Sequence, residues 1–438
     1  MLYASRHRDV INLYHQFLES QWWTRHQLED LQSQKLQSLV KHAYNNVPYY
    51  RELMIEHGLR AADINCPGDL QKLPVTKKSS MKSAVRNGKA LAADFNKHRS
   101  HVSYSSGSTG SSLRLHRGKE AQVIVAALQH RFFNWAGFGL SELLPRRARL
   151  WGRPSYSSLA KEIMKKARRF LNNTYEFNTH GWTEDDYLAC ATRLRQMEPD
   201  LIRGYAFALY LLAKISAQHG ITDIRPRAVI TTAQTLYSDW REEIGRSFSR
   251  PVFDQYGGSE CHMVACECDT HECYHVQDEH VIVELLPSDE IPSNYRKIIV
   301  TDLDNYAQPF IRYEIEDLAE PFYGECSCGR CLTTMKAIVG RSQDIIRSRD
   351  GRIFSVHIMN LRVFEGIEQF QVIQESLDRI RVKIVASDRF NSRDRMNVQK
   401  RLDSIFSDCF SLDVEYVKNI PPSKSGKAKI MISNLNKI

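Results

Sequence analysis

No uninterrupted apolar run in the chain approaches the roughly 20 residues that span a bilayer, which argues against a transmembrane helix. The opening MLYASRHRDVINLYHQFLES mixes charge with apolar positions and lacks the continuous apolar core of a signal peptide. Internal repeats and low-complexity linkers are missing as well, which excludes a repeat array. A strong charge imbalance is also absent. Sixty Lys and Arg stand against 51 Asp and Glu, a formal net charge of +9 over 438 residues. That excess demands no nucleic-acid partner and suits small anions equally well. The basic run Lys161 to Arg169 carries Ile163, Met164 and Ala167 among its cations, the texture of an amphipathic surface helix. A cytoplasmic protein is expected.

What is present is a globular composition, 42% hydrophobic and 25% charged. The length exceeds what one hydrophobic core usually supports, so more than one domain is expected. Cys66, Cys190 and Cys409 are isolated, whereas the other seven cysteines fall between Cys261 and Cys331. In a reducing compartment such clustering favours a metal over disulfides. Cys266, Cys268, His271, Cys273 and His275 form one knuckle of soft ligands, and Cys326, Cys328 and Cys331 form the other. The pair has the look of a structural zinc ribbon.

Apolar positions at Leu28, Leu31, Leu36, Leu39, Val40 and Ala43 recur at helical spacing, and Asn45-Asn46-Val47-Pro48 ends the run. From about residue 100, short apolar runs alternate with amphipathic stretches. Strands are predicted at 149–152 and 228–231, and helices over 121–136, 183–197 and 206–219. This alternation predicts an α/β domain with mostly parallel sheets. After Val339 the pattern changes: strands at 370–373, 380–385 and 413–417 and a helix over 392–406 predict a small α+β domain. The predicted division is a large domain over 1–343, with the zinc insert at about 261–331, and a small mobile domain over 344–438.

Five local motifs carry chemistry. Ser105-Ser106-Gly107-Ser108-Thr109-Gly110 leaves backbone N–H groups open to wrap an anion, although a flexible Ser/Gly linker would read the same. It lacks the Gly-Lys-Ser/Thr ending of a Walker loop. Flanking strands at 102–104 and 113–115 favour a phosphate-cradling hairpin loop. Tyr256-Gly257-Gly258-Ser259-Glu260 offers a flat ring, a hydroxyl and a carboxylate suited to Mg²⁺. Asp317 follows Pro309-Phe310-Ile311-Arg312-Tyr313, and could hold ribose hydroxyls or be an ordinary surface carboxylate. Gly340-Arg341 with Asp344 is the fourth motif, and Ser423-Lys424-Ser425-Gly426-Lys427 the fifth. Trp135, Phe138, Trp151, Tyr156 and Tyr205 are candidates for an aromatic-lined pocket or for ordinary core packing.

In this order and at these separations the motifs resemble the adenylate-forming superfamily, and most closely its phenylacetate–coenzyme A ligase-like branch, which includes capsule-biosynthesis proteins. The resemblance covers nearly the whole chain and is clearest from Tyr104 to Lys427. It implies that Ser105 to Gly110 hold the ATP phosphates and that Tyr256, with Gly257 beside it, packs on adenine. It implies that Ser259 lies near the α-phosphate and Glu260 binds Mg²⁺. It gives Asp317 to the ribose, Arg341 to the same nucleotide, Asp344 to a hinge and Lys427 to catalysis from the mobile domain. Four zinc ligands are implied, best matched by Cys268, His275, Cys326 and Cys328, with Cys273 and Cys331 as replacements. The implied reaction activates a small carboxylic acid with ATP and passes the acyl group to coenzyme A, or alternatively to an amine or hydroxyl. Neither a nucleic acid nor a membrane span is implied, and a homodimer is compatible. Ala233-Gln234 departs from the Gly-Glu common in the branch, and Gln343 stands where many members have Asp.

Overall fold

A computed structural model describes residues 2–95, 100–104, 113–139, 145–151, 173–179, 182, 184–289, 291, 293–341, 345–350, 353–355, 361, 366–388, 390–420 and 431–435. The first ninety residues are helical, as the spacing predicts: Leu2–Ser20, Arg25–Asn46, Pro48–Glu56 and Lys78–Arg86. Thr24 and Gln27 cap the second helix reciprocally. Pro48 then occupies the first turn of the third, where its missing N–H costs nothing. No described helix is long and apolar enough to cross a membrane.

Strands β1 (His101–Tyr104) and β2 (Arg114–Arg117) pair antiparallel as a hairpin around residues 105–112, which lie outside the described residues. The centre of the protein is an eleven-stranded mixed sheet. Its first half contains β3 (Arg147–Leu150), β4 (Thr174–Phe177), β5 (Leu201–Tyr205), β6 (Ala228–Thr232) and β7 (Val252–Tyr256), all paired in parallel in the order β4-β3-β5-β6-β7. Helices cover both faces. Lys119–Trp135 packs Phe132 and Phe133 over Leu201, Ile230 and Phe253, while Glu184–Met197, Ala206–Gln218 and Ser238–Phe248 pack on Ile202 and Val229. Helices on both faces are why β6 and β7 are enclosed along their whole length, polar residues such as Thr231, Asp254 and Gln255 included.

The other half is antiparallel. It adds β8 (Ala265–Glu267), β9 (Tyr274–Val276), β10 (Val281–Leu286), β11 (Arg296–Asp302), β12 (Tyr313–Pro321) and β13 (Thr334–Arg341), in the order β7-β8-β9-β13-β12-β11-β10. Short connections join β10, β11, β12 and β13 as an antiparallel meander, and β9 pairs with β13 rather than with β10, the strand that follows it. The segment 261–331 therefore supplies strands of the central sheet as well as both cysteine knuckles. The amino-terminal helices close one face of this half, burying Leu36, Leu39, Val40 and Tyr50 against Val276, Ile298, Val300 and Tyr313.

After the short pair β14 (Ile345–Arg347) and β15 (Ile353–Ser355) comes a separate sheet. It contains β16 (Ile367–Gln374), β17 (Arg379–Ala386), β18 (Ser411–Tyr416) and β19 (Met431–Ser433) in the order β18-β17-β16-β19. The helix Ser392–Phe406 covers it through Val398, Leu402 and Phe406.

Candidate active site

Strand β7 delivers Tyr256 to the centre of the sheet, and the chain turns immediately afterwards. The Tyr256 hydroxyl donates to Asp317 Oδ2 at 2.9 Å. Burial first, and the Asp317 charge second, push this phenol well above its ordinary range, so it stays protonated and donates. Asp317 sits in β12 directly opposite Arg341 of β13 in the antiparallel register. Three residues distant in sequence thus converge through strand pairing alone. Gly257 has no room for a side chain: a Cβ there would lie 1.6 Å from the His262 carbonyl oxygen. His262 itself holds a left-handed backbone, with φ of 52°. Gly257→Ala must therefore unseat the turn that carries Ser259 and Glu260. We expect at least about 2 kcal/mol of destabilisation, in the range of overpacked sites, with loss of nucleotide binding, measured by denaturant unfolding and equilibrium dialysis.

The turn is tied to the hairpin. Arg117, at the end of β2, donates from Nη2 to the Glu260 carbonyl at 2.7 Å and lies 3.9 Å from Asp302 Oδ2. The His116 N–H donates to Gln308 Oε1 at 2.8 Å, and Asn305 Nδ2 donates to the His116 carbonyl at 3.0 Å. The hairpin base and the Tyr256–Glu260 turn are therefore fixed to one loop, 302–308. Beneath them His280 contacts Asp304 at 2.7 Å and Asp302 at 3.8 Å, and Lys35 reaches Asp304 at 2.6 Å. Burial alone would lower the His280 pKa, but Asp302 and Asp304 outweigh it and raise it, favouring the charged imidazole. The Glu260 carboxylate is half-buried and has no partner among the described residues. It is a hard oxygen donor free for a cation.

Two residues before Tyr256, on the same face of β7, Asp254 is held by its own partners. Thr231 Oγ1 donates to it at 2.5 Å and Tyr274 OH at 2.7 Å, and the Asp254 N–H donates to Glu267 at 2.8 Å. Burial, then the Glu267 charge, push Asp254 up to about 7. Ala233 has φ of 66°, a left-handed backbone that favours glycine. Gln234 turns to structural use and accepts the Phe207 N–H at 3.1 Å, at the start of the helix Ala206–Gln218.

The cysteine knuckles meet beside the helix Lys119–Trp135. Donor atoms of Cys268, His275, Cys326 and Cys328 all lie within 4.8 Å of one another. Cys268 Sγ to Cys326 Sγ is 3.7 Å and Cys328 Sγ to His275 Nε2 is 3.3 Å. A tetrahedron with zinc–sulfur bonds of about 2.3 Å has edges of about 3.8 Å, so both the donor set and its spacing fit zinc. Burial, followed by Arg330 and Arg131, pushes His275 down to about 4, leaving the neutral imidazole that a ligand requires. Cys273 Sγ lies 3.7 Å from His275 Nε2, outside the four-donor cluster, and Cys331 is exposed. Cys261 and Cys266 are buried elsewhere in the core.

A family model of the CapK C-terminal domain matches residues 345–434. Protein CapK of Staphylococcus aureus is 26% identical over 253 residues, which cover 56% of this chain and 55% of CapK. The phenylacetate–coenzyme A ligase of Thermus thermophilus is 24% identical, covering 84% of this chain and 83% of that protein. Its Escherichia coli counterpart is 26% identical, covering 75% and 74%. The chain is similar to the phenylacetate–coenzyme A ligase-like branch of the adenylate-forming superfamily, which includes CapK, and it is an adenylate-forming, ligase-like enzyme. A solved 2-hydroxyisobutyryl-CoA ligase, in its postadenylation state with an acyl-AMP, shares the fold. The TM-score is 0.67 at 15% identity, covering 95% of this chain and 91% of that one.

Tyr256, Gly257, Ser259, Glu260, Asp317 and the backbone of Arg341 gather at one end of β7 in this adenylate-forming protein. Ser105 to Gly110, Asp344, Lys427 and Tyr156 lie outside the described residues, as does the Arg341 side chain. Of the aromatic candidates, Trp151 and Tyr205 pair with ring centroids 4.8 Å apart. Trp135 instead packs against His275, and Phe138 is buried under Arg227. Arg117, His280 and Asp304 escape a motif search because each is a lone residue whose partners are remote in sequence.

Proposed function

We propose that this enzyme activates a small carboxylic acid with ATP, releasing pyrophosphate, and then transfers the acyl group to coenzyme A. In the first step a carboxylate oxygen of the acid attacks the α-phosphorus, and the bond to pyrophosphate breaks. In the second, the thiol of coenzyme A attacks the acyl carbon and AMP leaves. The reading is carried by the convergence of Tyr256, Asp317 and the Arg341 position at the end of β7, with the base of the Ser/Gly hairpin locked to the same turn through Arg117. The relatives' names supply the acid and coenzyme A, and the solved ligase's acyl-AMP supplies the intermediate.

In this proposal Tyr256 stacks on adenine, Asp317 holds the ribose hydroxyls with Arg341 beside it, and Ser105 to Gly110 wrap the phosphates with backbone N–H groups. Ser259 stands near the α-phosphate. Glu260, unengaged and half-buried, would hold a Mg²⁺ that neutralises phosphate charge. Cys268, His275, Cys326 and Cys328 would hold zinc, which contributes folding energy rather than chemistry. We assign residues 1–343 to a large domain and 344–438 to a small one turning at Asp344, so that water is excluded during activation and the thiol enters afterwards.

Pyrophosphate release measured over a panel of carboxylic acids, with and without coenzyme A, tests the reading. Acid-dependent release without coenzyme A, and thioester only with it, are expected. Adenylate formed without thioester, but consumed by an amine or hydroxyl, would instead make this an amide or ester ligase. Release with no acid would overturn the activating role.

A further inference from the structure

Residues 76–78 reach from the amino-terminal helices to β12. Thr76 forms a parallel bridge to Tyr313, at the start of that strand. Its N–H donates to the Arg312 carbonyl at 2.8 Å, and the Glu314 N–H donates to the Thr76 carbonyl at 3.0 Å. Thr76 Oγ1 donates to the Ile311 carbonyl at 3.0 Å. Two residues on, Lys78 opens the helix Lys78–Arg86. Its Nζ donates to Glu316 Oε2 at 3.2 Å, and the two side chains are only 6% and 16% exposed. An ion pair this far from water is weakly screened and holds its geometry firmly.

Glu316 needs holding. Its φ is 72°, a left-handed backbone that a Cβ makes costly. Lys297 pairs with Leu318 and Ile299 with Glu314, so Ile315, Glu316 and Asp317 of β12 stand against Ile298 alone of β11. Pairing with β13 begins at Asp317. Thr76 thus fixes β12 as far as Glu314, the ladders resume at Asp317 and Leu318, and Lys78 grips the bulged stretch between them.

A bulge re-aims the side chains that it carries. This one carries Asp317, which accepts the Tyr256 hydroxyl at 2.9 Å and stands opposite Arg341. Backbone of this kind persists only where its surroundings impose it. Part of those surroundings arrives from 238 residues away, in Lys78.

We propose that Lys78 is a positioning residue of the nucleotide site. By holding the Glu316 carboxylate it maintains the left-handed bulge that aims Asp317 at the Tyr256 hydroxyl and at the ribose. The inference rests on the assignment of Asp317 to the ribose in the proposed function, and it adds a residue of the amino-terminal part to ATP recognition.

Equilibrium dialysis with ATP and with 2′-deoxyATP tests it. The ratio of the two affinities reads the grip of Asp317 on the ribose and needs no acid. Wild-type protein should prefer ATP. Lys78→Met should reduce that preference by about tenfold, the lower end of what a hydrogen bond to a charged group contributes. Glycine takes a left-handed backbone freely, so Glu316→Gly should keep the preference, and adding Lys78→Met to it should change the ratio by less than about twofold. An ion pair that only stabilises the fold would lower the melting temperature in Lys78→Met and leave the ratio alone. A preference kept in folded Lys78→Met, or lost in folded Glu316→Gly, would overturn the inference. If Lys78→Met does not fold, Glu316→Gln against Glu316→Gly decides. Both remove the carboxylate that Lys78 holds, so a lower ratio in the glutamine variant supports the bulge and equal ratios overturn it. If wild-type protein binds the two nucleotides alike, or binds neither, the ribose assignment fails. Crystal structures of wild type and of Lys78→Met, or of Glu316→Gln where the first is unfolded, then decide. A displaced Asp317 with Glu316 out of the left-handed region supports the positioning role, and an unchanged bulge with the Tyr256–Asp317 bond intact overturns it.

Discussion

Lys427→Ala is expected to reduce adenylate formation by about 100- to 1,000-fold, the cost of removing one preorganised group that stabilises developing charge. The reason lies in what the first half-reaction needs. Negative charge builds between the attacking carboxylate and the departing pyrophosphate, and a mobile point charge can reach both. Lys427 follows Ser425-Gly426 at the end of the chain, remote in sequence from Tyr256, Asp317 and Arg341. In the proposed mechanism a cation supplied from there would engage only when the small domain closes, and so would bind the transition state better than ground-state ATP. The exchange rate should fall while equilibrium binding of ATP stays within a few-fold. Coenzyme A transfer from a preformed acyl-adenylate should also be little changed. Near-normal exchange in the alanine variant would remove Lys427 from the mechanism.

Cys326→Ser should destabilise the large domain by more than about 4 kcal/mol, because loss of a metal site belongs to the few mechanisms with effects that large. Metal analysis of protein purified without added zinc should find one zinc per chain, and the variant should hold none. The loss should reach beyond the knuckles. Arg330 lies 4.8 Å from the Trp135 ring and donates to Gln21 Oε1 at 3.0 Å, and Trp135 Nε1 donates to the same oxygen at 2.7 Å. The cluster thus anchors the amino-terminal helices on the sheet. Cys331→Ser, at an exposed thiol outside the four-donor group, is the control and should change neither zinc content nor stability. Full stability in zinc-free wild-type protein would refute a structural metal.

The elements that periodicity locates best are those whose burial is one-sided or complete. The helix at Ser392–Phe406 and the buried run of β6 are legible because core contact is written into their spacing. The antiparallel half of the central sheet is less legible. Its strands are short, and β8 and β9 carry knuckle residues that interrupt alternation. The site divides in the same way. Tyr256 and Asp317 stand out as members of motifs, yet the hydrogen bond that joins them depends on the pairing of β7, β8, β9, β13 and β12, which no local pattern reveals. Arg117, His280, Asp304 and Arg203 carry no local signal. Each matters because of a polar or charged partner brought to it from more than twenty residues away.

Strand β7 works as a partition one backbone thick. Its odd positions Phe253 and Gln255 and its even positions Asp254 and Tyr256 belong to different chambers. Selection can therefore remodel the odd-numbered wall without redesigning the even-numbered wall that holds Tyr256 against Asp317. The freedom has a strict limit. A one-residue insertion or deletion within 252–256 would exchange the two walls, sending Tyr256 to the face that carries Gln255 and breaking its bond to Asp317. Drift in this strand is thus confined to substitutions, and a change of length is expected only in the turn beyond Gly257.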